Sequence, residues 1–364
     1  MKIDITLGAA SARVSEIFIG EDVMERVPGS LQAALEGRSA YWIWDEAVWA
    51  LWGRKALDLG WPVDRNGQVS LFTASESDKR LASVEFLARR LVNAGANRDS
   101  AIIAVGGGVT GDIAGFIASI YMRGIPCFQV PTTLLAQVDS SIGGKTGVDL
   151  PEGKNLLGTF EQPKQVYIDP RFIATLPDEE LRQGMSEVIK SAMIGDEVLW
   201  KFVENHSDAV KKRDPGALLR IISASCLLKS RIVQADEKET GHRRLLNLGH
   251  TVGHALEKLT GFRLKHGDCV ATGMVAAATL SRRLGKMREE DLERLENICG
   301  TWGMPVRIPA SIESRAIVDA IHADKKRIGE KLHFIMPVRI GKVIEFTDID
   351  DGEFTRVLKS LGAG

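Results

Sequence analysis

The sequence predicts an α/β N-terminal nucleotide-binding domain followed by a mainly α-helical C-terminal domain. Three observations predict this. Short β-rich runs alternate with helical patterns through the first half. Beyond about Pro177 the pattern becomes almost wholly helical. Between one strand and the next helix stands the run "GGG", Gly106 to Gly108. The domains are therefore placed at 1–176 and 177–364, with no internal repeats and no low-complexity linker at the join.

The elements follow in order. "AYWIWD" (40–45) reads as a buried strand ending in an acid, and "VSLFTA" (69–74) as a second strand. Residues 78–95 carry apolar side chains at helical spacing and stop at Gly95; 101–105 is a strand, 110–124 a helix and 127–131 a strand. Such alternation argues for a parallel sheet covered by helices. Later, "DEELRQGMSEVIKSAMI", "DPGALLRIISASCLLKSRIV", "VGHALEKL", "GDCVATGMVAAATLSRRLG" and "EEDLERLENICGTWG" are all helical, and 331–346 reads as a hairpin.

Composition limits the function classes. A chain of 364 residues, 44% hydrophobic and 26% charged, can bury two cores and has the balance of a soluble globular protein. Its formal net charge of −1 gives no global attraction to nucleic acid or anionic membrane, so any anion recognition must be local. No apolar run reaches the ~20 residues of a membrane span, and "MKIDITLG" lacks a secretory core. Cys127, Cys226, Cys269 and Cys299 are scattered with no C-x-x-C pair, as expected of reduced thiols in a cytoplasmic protein.

Three clusters carry candidate chemistry. The glycine run lets a backbone approach a phosphate at a helix N-terminus. Gly106, Gly108 and Gly111 match G-x-G-x-x-G, but the next strand ends in "PTT" and offers no acid for a ribose. Asp45 is a replacement ribose partner, and a ligand-free tight turn is the alternative reading. The second cluster is "LLNLGHTVGHALE" followed by "KHGD". It holds His250, His254 and His266, three of only seven histidines. On a helix His250 and His254 share a face, and Gly249 leaves room beside His250 for something other than side-chain packing. Glu187, an acid on the apolar side of its helix, is the favoured carboxylate. Two imidazoles and one carboxylate leave open positions on a catalytic zinc, whereas three structural histidines would look the same singly. The third cluster spans 139–158 and 229–247. Lys145, Lys154 and Asn155 suit a phosphate, Lys190 projects with Glu187, and Lys229, Glu239, Arg243 and Asn247 precede His250. A solvated charged face is the competing account.

The run "GGGVTGD…YMRG…QVPTTLLAQVDSSIGGKTGVD…GKNLLGTF…QPK", then "GMSEVIK", "ADEKETGHRRLLNLGHTVGHALE" and "HGD", resembles the 3-dehydroquinate synthase family, densely from about 100 to 275. The resemblance implies conversion of 3-deoxy-D-arabino-heptulosonate 7-phosphate to 3-dehydroquinate and phosphate. The route would be transient oxidation by NAD, β-elimination, reduction and intramolecular aldol closure. It implies zinc (or cobalt) held by Glu187, His250 and His266, which moves His254 to the substrate phosphate. Lys145, Asn155 and Asn247 would join it there, with Arg123 reaching in from a second subunit of a homodimer. Lys190, Lys229 and Arg243 would hold the carboxylate and hydroxyls of this phosphorylated sugar acid, beside Asp139 and Glu239. NAD would contact Asp45, Glu76, Lys79, Gly107, Gly108, Val109, Asp112, Thr132, Thr133, Leu135, Ser140, Lys154, Phe172, Thr175 and Leu176.

Three departures qualify the match. Ala47 replaces an expected Asn, "HGD" replaces "HGE", and His333 stands where a Lys or Arg is expected unless Lys331 serves. Three rivals remain: another NAD- and metal-dependent sugar-phosphate cyclase, a metal-dependent polyol dehydrogenase, and a catalytically silent scaffold.

Overall fold

The computed structural model describes residues 1–7, 13–63, 67–328, 334–347 and 349–364. The chain divides into two compact units, Met1–Pro177 with Arg213–Lys238, and Asp178–Lys212 with Glu239–Gly364.

The first unit is built on a seven-stranded sheet. Strands β1 (Lys2–Leu7) and β2 (Arg13–Ile19) pair antiparallel at its edge, followed by helix α1 (Val23–Leu35). Then come β3 (Ser39–Asp45), α2 (Glu46–Asp58), β4 (Val69–Phe72), α3 (Leu81–Asn93), β5 (Ser100–Gly106), α4 (Gly108–Ile120) and β6 (Cys127–Pro131). A separate antiparallel hairpin, β7 (Lys145–Leu150) and β8 (Gly153–Phe160), precedes β9 (Gln165–Ile168). The sheet order is β1-β2-β9-β6-β5-β3-β4, and every pairing except β1 with β2 is parallel.

Alternation explains the central strands. Trp42 and Trp44 of β3 face one way, into a core with Met24, Val27, Leu31 and Trp61, while Tyr41 and Ile43 face the other, with Leu87, Ile113 and Ile117. Strand β5 is buried at all seven positions, as an apolar run covered on both faces should be. From β3 the chain steps to β4 on one side, and from β5 to β6 on the other. The crevice beyond the carboxyl ends of β3 and β5 is thus the topological switch point, where such sheets bind ligands. Asp45 ends β3 and the glycine run ends β5.

The second unit begins with α5 (Asp178–Gly195) and α6 (Glu197–Lys211). After α7 (Pro215–Ala235), which belongs to the first unit, it continues with α8 (His250–Leu259), α9 (His266–Arg283), α10 (Glu289–Thr301) and α11 (Ser314–Ile328). An antiparallel pair, β10 (Phe334–Arg339) and β11 (Lys342–Phe346), and α12 (Asp351–Ser360) complete it. Helix α9 is its centre: every residue from Gly267 to Ser281 is buried, against α5, α8, α10, α12 and β10.

Glycines set how closely α8 meets α9. A Cβ on Gly273 would lie 2.0 Å from the carbonyl oxygen of Gly249, and one on Gly249, at φ +81°, 2.6 Å from that of Val270. The reading that Gly249 leaves room beside His250 for something other than side-chain packing is therefore corrected: the space is filled by the α9 backbone and the Met274 side chain.

Other differences have equally local causes. The sequence assigned all of 177–364 to the second domain, but α7 packs on β1 and on the turns Ala136–Ser140 and Pro170–Thr175. Helical periodicity identifies a helix without naming its partner. The segment read as loop-rich at 139–158 contains most of the β7–β8 hairpin, whose glycines pair with each other: a Cβ on Gly158 would lie 2.4 Å from the Thr146 carbonyl oxygen. The helix expected over 110–124 ends at Ile120, because Met122 and Arg123 take left-handed φ of 49° and 73°. Positions 331 to 333, which include the Lys331 and His333 in question, lie outside the described residues.

Candidate active site

Three helices of the second unit bring Glu187, His250 and His266 together. Glu187 lies midway along α5, while His250 and His266 open α8 and α9. One ligand atom from each lies within 4.8 Å of the other two. The α8–α9 glycine contacts hold the two helices close, and the His250 and His266 ring centroids are 5.4 Å apart.

Hydrogen bonds define which nitrogens are available. His250 donates from Nδ1 to the Leu248 carbonyl at 3.2 Å, and His266 from Nδ1 to Glu257 Oε1 at 3.1 Å. In its neutral form each ring therefore keeps its Nε2 lone pair for another partner, and a cation binding there would displace the proton that His266 otherwise carries. Nε2 of His266 stands 3.7 Å from Glu187 Oε1. Among the described residues neither Glu187 oxygen accepts a well-formed hydrogen bond, although the carboxylate is 1% exposed and in ion-pair contact with Lys190. A buried carboxylate in this condition, with two Nε2 atoms beside it, fits a divalent cation of zinc or cobalt type.

The titration behaviour has the same origin. Burial opposes ionisation of Glu187, but Lys190 and His266 outweigh it and hold its carboxyl at about 2. Burial likewise opposes charge on His266, yet the carboxylates of Glu187 and Glu257 beside it raise it to about 9. Burial and the neighbouring charges of Lys190, His254 and His266 keep His250 neutral, well below the ordinary value.

A second grouping, His254 with Glu257 and His266, also lies within 4.8 Å. Two of its members, His266 through Nδ1 and Glu257, already engage each other, and His254 is exposed. The first trio is the better cation site, leaving His254 at its margin with rings 5.2 Å from His250 and 6.3 Å from His266. Also in this unit, Arg243 is 2% exposed, and Asn247 donates to Glu239 at 2.6 Å, with Glu239 held at a left-handed φ of 59°.

The first unit carries the remaining sites. Gly107 caps α4, and the missing side chains form a cradle. A Cβ on Gly107 would meet Thr133 at 3.0 Å, one on Gly108 would meet Ser140 at 3.0 Å, and one on Gly106 would meet Asp45 at 3.0 Å. Thr132 is buried with a hydroxyl that has no partner among the described residues, Val109 lies in the first turn of α4, and Leu135 leads into the turn holding Ser140. Bare backbone at a helix start, at the switch point, with an acid ending β3, fits a dinucleotide.

Asp45 spends Oδ1 on the amides of Ala47 and Val48, at 2.9 and 3.4 Å, so it caps α2 as well. Lys79 bridges Asp112 and Asn155, each at 2.6 Å, and Asn155 takes φ 53° with its amide on Asp149. Asp112 outweighs burial and keeps Lys79 charged. Lys154 pairs with Glu76 at 2.7 Å. Lys229, from α7, donates to the Asp139 carboxylate at 2.6 Å and to its carbonyl at 2.7 Å. Phe172 is core, its ring 5.0 Å from Trp52, and Thr175 accepts from the Trp52 indole at 2.8 Å beside Leu176. Lys145, at the start of β7, and Arg123 are exposed.

One residue escaped the sequence reading: Glu257. The signal was available, since an acid seven positions after His250 shares its helix face, just as Glu187 interrupts an apolar one.

This pairing of a nucleotide-cradling parallel sheet with a helical Glu-His-His unit is the fold of the sugar-phosphate cyclases. A 2-epi-5-epi-valiolone synthase from Streptomyces hygroscopicus, solved with NAD+ and Zn2+ bound, has a TM-score of 0.88 at 27% identity and covers 98% of both chains. A 2-deoxy-scyllo-inosose synthase complexed with carbaglucose-6-phosphate, NAD+ and Co2+ has a TM-score of 0.87 at 28% identity, covering 99% of this chain and 100% of that one. The chain belongs to the 3-dehydroquinate synthase family: residues 69–183 match its N-terminal domain and 184–327 its C-terminal domain. The 3-dehydroquinate synthase of Symbiobacterium thermophilum is 44% identical over 350 residues, 95% of this chain and 97% of that one. That of Xylella fastidiosa is 40% identical over 94% of both. A butanol dehydrogenase from Thermotoga maritima, at 16% identity and a TM-score of 0.69, shares the fold alone. No helix of the described residues is long and apolar enough to cross a membrane.

Proposed function

We propose that this chain is a phosphate-eliminating lyase that converts 3-deoxy-D-arabino-heptulosonate 7-phosphate to 3-dehydroquinate, as a cytoplasmic homodimer. The observation that carries the reading is the convergence of Glu187, His250 and His266 within 4.8 Å. When bound, NAD supplies reversible oxidation at one carbinol carbon and the divalent cation supplies polarisation of its oxygen.

The chain's own residues bind, orient and balance charge. Glu187, His250 and His266 hold the cation, and Lys190, charged beside Glu187, is placed for a substrate hydroxyl. Lys145, Asn155, Asn247 and His254 take the phosphate, with Arg123 supplied by a second subunit. Lys229 and Arg243 take the substrate's carboxylate and remaining hydroxyls. Asp139 fixes the Lys229 ammonium, and Glu239 fixes the Asn247 amide. NAD is held by Asp45, Glu76, Lys79, Gly107, Gly108, Val109, Asp112, Thr132, Thr133, Leu135, Ser140, Lys154, Phe172, Thr175 and Leu176. Phe172, whose ring is buried, contributes there through its backbone. The departing phosphate can take the proton lost in elimination, so no strong base is required among these residues. Fixing a flexible acyclic substrate in the reactive conformation is the larger part of their work.

A related cyclase acting on a different sugar phosphate is the second reading, favoured by the TM-scores of 0.88 and 0.87. Against it, identity rises to 44% with a 3-dehydroquinate synthase. Lys229 and Arg243, two cations suited to a carboxylate, are also both present. The deciding experiment supplies heptulosonate phosphate and catalytic NAD and follows inorganic phosphate and carbocycle formation. Release of one phosphate per carbocycle, without net NADH, is expected. Phosphate that stays on the substrate with metal-loaded protein rejects the assignment, and net NADH indicates a dehydrogenase. A sedimentation mass of one chain would reject the dimer.

A further inference from the structure

We propose that Glu257 is a positioning residue for the metal site, acting through His266; the proposal rests on the metal reading above. Its carboxylate accepts the Nδ1 proton of His266 at 3.1 Å, and its side chain is 3% exposed. A carboxylate removed from water in this way needs a fixed cationic or N–H partner. The imidazole of His266 is such a partner. The bond does two things to the ring. It selects the tautomer with the proton on Nδ1 and the lone pair on Nε2, and it sets the rotation that aims Nε2 at Glu187, 3.7 Å away. A carboxylate partner also makes Nε2 a stronger donor than a neutral partner would.

The arrangement is built into the backbone. Glu257 lies on the same face of α8 as His250 and His254, so one helix supplies a ligand directly and orients another that comes from α9. The glycine contacts between α8 and α9 fix how closely the two helices approach. The Glu257 carbonyl is itself tied to the Phe262 amide at 2.8 Å and to the Thr260 hydroxyl at 3.1 Å, which closes the end of α8 beyond it. The two histidines are oriented differently. His250 leans on the backbone carbonyl of Leu248, which no substitution removes, whereas His266 leans on a side chain. The orientation of His266 is therefore the part of the trio open to mutation without touching a ligand.

The test uses the full chain, stripped of metal, as wild type, Glu257→Gln and Glu257→Ala. Zn2+ affinity is measured by competition with a chromogenic chelator, and the visible spectrum is recorded after Co2+ loading. Loss of a hydrogen-bonded outer partner is expected to weaken Zn2+ binding by about 10–100-fold in Glu257→Ala. Glu257→Gln, which keeps the shape and an acceptor but not the charge, should fall between. Both should shift the Co2+ bands, while the metal-free variants retain wild-type circular dichroism. A folded Glu257→Gln chain with wild-type Zn2+ affinity and wild-type Co2+ bands would overturn the proposal. So would a Glu257→Gln chain that cannot fold even with Zn2+ present, since the residue would then be structural. Wild-type protein that binds neither ion would instead remove the metal reading itself, and this proposal with it.

Discussion

Nε2 of His266 and Oε1 of Glu187 face each other across 3.7 Å, one from the first residue of α9 and the other from the buried middle of α5. Two lone-pair donors at that separation repel unless a proton or a cation lies between them. Replacing Glu187 with Gln, or His250 with Ala, is therefore expected to cost more metal affinity than the about 10–100-fold typical of an outer partner. Turnover should fall with it. Metal content and phosphate release, measured on the same preparations, check this. Chelation should abolish activity and added Zn2+ restore it; activity that survives complete metal removal would contradict the site.

The close approach of Gly249 and Gly273 makes a prediction about stability and metal together. A methyl on Gly273 would sit 2.0 Å from the Gly249 carbonyl oxygen, so α8 must shift away from α9. Gly273→Ala is expected to lose about 1–3 kcal/mol, the usual cost of overpacking, and to bind Zn2+ less tightly. Gly300→Ala is the control. Gly300 lies within α10, where an added methyl would meet nothing within 4 Å, and exchanging it for Ala should be neutral or slightly stabilising. Urea unfolding of both variants decides.

Lys79 is the ion that keeps Asp112 satisfied, at 2.6 Å and with side chains 7% and 19% exposed. Lys79→Met should destabilise the first unit by about 3–5 kcal/mol, because a nearly buried carboxylate loses its cation. Removing both charges, as Lys79→Met with Asp112→Leu, should recover much of that loss. The KM for NAD should rise in both variants. Stability that is equally poor in the single and double variants would show that the stranded Asp112 carboxylate is not the cause of the loss.

Alkaline pH should destabilise the protein through its thiols. All four cysteines are buried and unpaired with one another. Burial pushes Cys127 and Cys299 up to about 12 and Cys226 further still. An unfolded thiol ionises near about 8.5, so between there and about 12 the unfolded chain sheds protons that the native chain keeps. The stabilisation is complete below that window and is lost as pH rises through it. Each of these three thiols contributes a slope of about 1.4 kcal/mol per pH unit. Urea midpoints from pH 8 to 11 test the sign. At pH 8 a thiol reagent should label the native protein slowly and the denatured protein at once; rapid native labelling would refute the buried assignment.

Much of the fold was legible along the chain. Strands β3, β4, β5 and β6 and helices α3 and α4 follow from residue periodicity, because each buries a face that its neighbours in sequence supply, whereas α2 went unread. The glycine run could be read for the same reason, since a strand-to-helix turn is a local event. Glu187, His250 and His266 were distinguishable as a set through motif resemblance, while His250 and His254 alone offered no way to choose between them.

The rest depended on pairs of residues far apart in the chain. Tertiary contacts placed α7 with the first unit, through Lys229 on Asp139 and the packing of α7 on β1, though its own pattern would suit any apolar neighbour. Gly249 had the look of an opening until α9 filled it. Which nitrogen of His266 faces Glu187 depended on Glu257, and a hydrogen bond of that kind leaves no periodic trace. Periodicity records which face of an element is apolar; the partner that covers it, and the direction in which a ring points, exist only once the helices have met.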